Sequence, residues 1–110
     1  MSSPPLDELW LVVRRIPEGR AASYGEIGRA LSYPASGYMV GRWMANCPQD
    51  IPWWRVVAKD GRLLLAKRSP ELAMEQERRL IAEGVKIEDA HVSVDVLVSY
   101  LDLQEEDPSI

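Results

Sequence analysis

The chain has 110 residues, 46% of them hydrophobic, and a formal net charge of −4, which bounds it to one domain with a modest core. A single cysteine, Cys47, precludes an internal disulfide, and with a single histidine, His91, there is no zinc-ligand cluster; neither metal nor cofactor is expected. No apolar run approaches the ~20 residues of a membrane span and Met1–Pro5 lacks the regions of a signal peptide, so a monomer of the reducing cytoplasm, away from membranes, is expected.

Ser3 can cap a first helix with Pro4 at its first position, and Leu6, Leu9, Trp10, Val13 and Ile16 recur at helical spacing until Pro17-Glu18-Gly19. Ser23-Tyr24-Gly25-Glu26 has the form of a capping box and opens a helix to about Leu31, which Ser32-Tyr33-Pro34 breaks. A further helix is expected from Ala35 to Ala45, across Gly37 and Gly41. Two short helices joined by a tight turn outline a helix-turn-helix. Asn46–Asp50 reads as loop. Val56-Val57-Ala58 and Leu63-Leu64-Leu65 flank Asp60-Gly61 and predict a small hairpin. Ser69-Pro70-Glu71 starts a long helix, with Leu72, Leu80 and Ile81 facing inward and Gly84 as its stop. In the tail, Val92, Val94, Val96 and Val98 alternate as in a strand, while Asp95 could cap a short helix through Leu103. The acidic end reads as frayed, so the domain is expected over 1–104 with a tail at 105–110.

Charge is segregated along the chain. Residues 1–10 carry a net −2, residues 11–70 a net +6, and residues 71–110 a net −8. This is the pattern of a basic binding face with an acidic far side, or of two differently solvated surfaces.

The segment Pro52-Trp53-Trp54-Arg55-Val56 sets two adjacent tryptophans between a proline and an arginine. Neither indole is a nucleophile, a base or a metal ligand, so the pair suits a pocket that holds something flat. The frame resembles the Pro-Cys-His-Arg-Val motif of the O6-alkylguanine-DNA alkyltransferases, with the acceptor cysteine and its histidine base both replaced. The chain is therefore similar to the alkyltransferase-like branch of that family, over roughly Leu6 to Val85. The resemblance implies a mainly α domain with a small β-hairpin, winged helix-turn-helix-like. It implies a protein that recognises O6-alkylguanine in duplex DNA without repairing it and hands the lesion to nucleotide excision repair proteins.

Residue by residue, Ser23-Tyr24 stands where the family's tyrosine pushes on a phosphate to rotate the target nucleotide out. Gly37, Val40 and Gly41 fit its small-residue recognition helix, which enters the minor groove. Lys59-Asp60-Gly61-Arg62 matches a loop that walls the base pocket, and Glu83-Gly84 a helix end whose glutamate helps to activate the cysteine. The resemblance thus assigns Trp53, Tyr24, Val56 and Arg68 to a lesion pocket and Tyr24, Gly37, Tyr38, Gly41 and Arg42 to DNA contact. The family's arginine finger, which fills the gap left by the flipped base, aligns with Tyr38, and Arg42 one turn along is the other candidate. With Trp53 and Trp54 in place, alkyl transfer is chemically excluded at this position and no catalytic residue is expected.

Blander readings accompany each of these residues. Trp10 belongs to an apolar stripe; Trp43 suits the core or the groove equally; the Trp53-Trp54 pair could be packing anchors, with at most one of them lining a pocket. Arg55 reads as a brace of the helix-turn-helix against the pocket segment or as a DNA contact, Lys67 and Arg68 as a solvated pair or an electropositive rim, Glu83 as a relic or a buried hydrogen-bond partner, and Cys47 as a small structural residue. The competing functions are a winged-helix transcriptional regulator and an aromatic-cage chromatin module. The first would read the major groove, for which Gly37 and Gly41 are poorly suited, and the second needs a β-barrel.

Overall fold

Leu9, Val12, Val13 and Ile16 recur every three or four residues and none is more than 1% exposed, so the first helix, α1 (Leu6–Arg14), lays one apolar side on the rest of the chain. The computed structural model describes residues 4–104; the expected cap Ser3 and the tail 105–110 lie outside the described residues. α1 begins later than predicted, with Pro5 rather than Ser3 ahead of its first turn.

The chain continues through β1 (Ala21–Ser23), α2 (Tyr24–Ala30), α3 (Gly37–Met44), a 3-10 turn over Trp53–Arg55, β2 (Val56–Val57) and a second 3-10 turn over Leu64–Lys67. It then forms α4 (Pro70–Ala82), β3 (Ile87–Glu88), β4 (His91–Val92), a third 3-10 turn over Val94–Val96, β5 (Leu97–Val98) and α5 (Tyr100–Leu103). This is a predominantly helical single domain with two small sheets among the described residues. None of its described helices is long and apolar enough to cross a membrane.

The central sheet is parallel in the order β2-β1-β5, with Ala22 opposite both Val56 and Val98, Ala21 opposite Leu97, and Ser23 opposite Val57. Alternate positions serve opposite faces. Ala22, Val56 and Val98 join the core of α1, α2, α3 and α5, whereas Ala21, Val57 and Leu97 join Leu80 of α4 and Val92 of β4. Strands buried on both faces show no polar alternation, which is why these short ones are not legible as strands.

Three expectations are corrected by this sheet and its neighbours. The hairpin across Asp60-Gly61 does not form, because Val56-Val57 pairs with β1 and Leu64 enters a 3-10 turn. The chain still reverses there: Gly61 sits at φ +90° and donates to the Ala58 carbonyl at 2.9 Å, and Arg62 bridges to His91. The antiparallel pair is instead β3–β4, turning through Asp89 and Ala90, both at positive φ. In α4, Leu80 is fully buried, but Leu72 is 47% and Ile81 55% exposed. Gln76 takes the inward place, its amide donating to the Trp54 and Val56 carbonyls at 3.3 and 3.0 Å. Both readings of the tail are realised in part, a strand at β5 and a helix at α5, and the helix is capped by Ser99 with Asp102 rather than by Asp95.

Candidate nucleic-acid interface and base cavity

Two serine caps define the helix pair. Ser23 Oγ accepts from the Glu26 amide at 3.1 Å at the start of α2, and Ser36 Oγ accepts from the Met39 amide at 3.2 Å at the start of α3. The turn between them is closed by the Ala35 amide donating to the Gly28 carbonyl at 3.1 Å. A side chain at Gly28 would collide with the Ala35 carbonyl, and one at Gly37 would stand 3.0 Å from the Gly25 nitrogen, so the close crossing of α2 and α3 depends on both glycines. The predicted helix-turn-helix is present, with α3 starting at Gly37 rather than Ala35.

α3 presents Tyr38, 71% exposed, and Arg42, whose Nη1 donates to the Tyr38 hydroxyl at 3.3 Å while its guanidinium lies 5.9 Å from the ring centre. The two candidates for the finger thus form one unit. Beside them a groove of about 230 Å³ is lined by Tyr24, Gly37, Tyr38, Gly41, Arg42, Leu64, Leu65 and Arg68. It adjoins a cavity of about 710 Å³ that shares Tyr24, Gly41, Leu65 and Arg68 and adds Met44, Ala45, Cys47, Gln49, Trp53, Ser69, Leu72, Glu75 and Arg79. Burial pushes the Tyr24 hydroxyl up from its usual pKa, against the pull of the nearby Arg68, so it remains a neutral donor.

The Pro52–Val56 segment carries both tryptophans in a 3-10 turn over Trp53–Arg55. The rings meet edge to face, 6.0 Å apart at 87°. Trp53 lines the cavity. Trp54 turns away and donates its indole N–H to Glu83 Oε2 at 2.8 Å, with the Arg79 and Arg55 guanidinium groups 4.5 and 5.5 Å from its ring. Arg55 reaches both Glu83 oxygens, the shortest contact being 2.7 Å, and its Nη1 donates to the Ile16 carbonyl at 2.9 Å. The Gly19 amide completes the cluster, 3.0 Å from Glu83 Oε1. Burial alone would raise the Glu83 pKa; the Arg55, Gly19 and Trp54 hydrogen bonds outweigh it and hold the carboxyl below its usual range.

Tyr24, Trp53 and Arg68 are therefore brought together, but Val56 is not among the cavity-lining residues: it is 2% exposed and packed in the core of the sheet. The Lys59–Arg62 turn does not line the cavity either; Leu65 and Arg68 supply that wall. The Lys67 side chain lies outside the described residues. Arg55 braces α1 against α4 rather than the helix-turn-helix, and Trp10 and Trp43 both pack against the core. Cys47, unassigned to the pocket by sequence, lines the cavity; burial and then Asp50 push its thiol up to about 11, so it stays protonated. Glu75 and Arg79 were also missed. Only their spacing along α4 relative to Leu72 hinted that they share its exposed side.

A helix-turn-helix with a cavity at the flank of its second helix defines a DNA-binding domain with room for a single base. The chain matches the family model for the DNA-binding domain of 6-O-methylguanine DNA methyltransferase over residues 5–85, and it belongs to that family. It is 32% identical over 84 residues to a DNA base-flipping protein of Vibrio parahaemolyticus, covering 74% of this chain and 81% of that protein. It is 33% identical over 78 residues to alkyltransferase-like protein 1 of Schizosaccharomyces pombe, covering 68% of this chain and 70% of that one. The fold is similar to the crystal structure of S. pombe Atl1 in complex with damaged DNA containing O6-carboxymethylguanine, with a TM-score of 0.74 and 25% identity over 86% of this chain and 94% of that one.

Proposed function

We propose that this chain reads O6-alkylguanine in duplex DNA and performs no chemistry on it. The observation that carries the reading is Trp53, an indole lining the cavity; by the resemblance of the motifs it stands where the family's reactive cysteine would. An indole cannot accept an alkyl group by displacement, and the neighbouring Trp54 is no base. The relatives named base-flipping and alkyltransferase-like proteins, one of them solved on damaged DNA, support the same reading.

The basic stretch up to Arg68 finds DNA through phosphate contacts that are blind to sequence and sensitive to salt. α3 enters the minor groove along its Gly37–Gly41 edge, Tyr24 helps to expel the guanine, and Tyr38, braced by Arg42, fills the vacancy. Flipping costs a few kcal/mol, less for a damaged and weakly paired base. The alkyl group then packs against Trp53, gaining about 0.8 kcal/mol per buried methylene. Residues 1–104 act as one DNA-binding domain, the protein works as a monomer in the reducing cytoplasm, and its acidic C-terminal third hands the lesion to nucleotide excision repair.

The test is a fluorescence-anisotropy titration, at fixed salt, of duplexes carrying guanine, O6-methylguanine or a bulkier O6-alkylguanine, for wild type and Trp53→Ala. Tighter binding to the alkylated duplexes, weakened in the variant and leaving the DNA alkylated, is the expected result. Equal binding to all three duplexes would overturn the reading.

A further inference from the structure

The groove and the cavity share Tyr24, Gly41, Leu65 and Arg68, so these residues form the passage between them. A base entering from the α3 side has Trp53 and the α4 residues Leu72, Glu75 and Arg79 ahead of it. At about 710 Å³ the cavity falls in the range that encloses drug-sized molecules, so it has space for a base and a substituent of several atoms. What such a substituent meets along α4 is charged.

Glu75 there is shared by two arginines. Arg78 holds both of its oxygens, at 3.0 and 2.6 Å, and Arg79 Nε donates to Oε1 at 2.8 Å. These bonds keep the Glu75 carboxyl ionised, its pKa lowered to about 2. Of these charged groups Glu75 and Arg79 line the cavity, and Arg68 in the passage adds a second positive one. The Arg79 guanidinium is also oriented before any ligand arrives: Glu75 holds its Nε edge, and the Trp54 ring lies 4.5 Å beneath it. Its two terminal nitrogens are left for another acceptor. A planar fork fixed in this way matches a carboxylate and loses little freedom on engaging one.

Building on the lesion-reading function, we propose that Arg79 is a specificity residue that favours O6 substituents ending in an anionic group over neutral substituents of the same shape. The neutral alkyl part packs on Trp53 and Leu72, and the terminal carboxylate pairs with Arg79. The pair is about a third exposed, so the preference is modest and weakens with salt.

The experiment compares duplexes carrying O6-carboxymethylguanine with its near-isosteric neutral amide, O6-carbamoylmethylguanine, and with O6-methylguanine and guanine. Wild type is expected to bind the carboxylate about threefold to fivefold more tightly than the amide, the scale of a partly exposed charge pair. Arg79→Gln should bring that ratio to one, and Arg79→Lys should retain part of it. A wild-type ratio of one, which needs no variant, or a ratio that survives in Arg79→Gln, would overturn the proposal while the preference for O6-methylguanine over guanine persists. Loss of that last preference in wild type would overturn the lesion-reading function as well.

Discussion

The indole N–H of Trp54 donates to Glu83 across 29 positions of sequence, at 2.8 Å. In the reactive members of the family, by the resemblance of the motifs, a histidine stands at the first of these positions and the glutamate serves its chemistry. Here the carboxylate has become an anchor. It gathers Trp54, Arg55 and the Gly19 amide, and so ties the end of α4 to the loop after α1 and to the turn that presents Trp53. The Glu83 cluster thus holds the turn that carries Trp53 in place.

Trp53→Cys should therefore not create an alkyltransferase. The new thiol would have no histidine beside it to lower its pKa. Nor can Cys47 substitute, being held protonated near pKa 11. Incubation with a duplex labelled on the O6-methyl group should leave the label on the DNA; label on the protein would contradict this account.

Glu83→Gln should destabilise the fold by about 3 kcal/mol, because it leaves the largely buried Arg55 without its counter-charge. Since the folded carboxyl titrates below the ordinary 4.5, its contribution is fully present above that pH and is lost as pH falls through the folded value. Urea unfolding of wild type and variant from pH 7 down to pH 3 should show the gap between them narrowing on the acid side.

Gly28→Ala is expected to cost about 1–3 kcal/mol, the range for overpacking a tight contact. The added methyl would press on the Ala35 backbone and part α2 from α3, so DNA affinity should fall along with the melting temperature. Gly25→Ala, with no atom within 4 Å of the new carbon, is the matched control and should leave both nearly unchanged.

Tyr38→Ala should weaken binding to an O6-methylguanine duplex by about 1–3 kcal/mol, the worth of one aromatic–base stack, with no change in thermal stability because the ring is exposed. Tyr38→Phe should bind within about twofold of wild type if the ring itself occupies the gap. Anisotropy gives the affinity, and fluorescence of a 2-aminopurine placed opposite the vacancy reports whether the base still leaves the stack.

The helix-turn-helix was legible because its signals are local. Ser23 and Ser36 cap their helices through amides three residues on, and Pro34 breaks the chain between them. The two-tryptophan frame and the segregation of charge are likewise properties of the chain read in order. The cavity was legible only in part: Tyr24, Trp53 and Arg68 were identified as its residues, but Val56 was not distinguishable from them without knowing that the core buries both faces of β2. The parallel sheet, the Gln76 amide on two distant carbonyls and the Glu83 cluster could be decided only in three dimensions. Their partners lie 20 to 76 positions apart, and a two-residue strand has no pattern of its own until neighbours bury both of its faces. A local cap is set by bond geometry within one turn of chain, whereas those long-range pairs exist only once burial has brought the segments together.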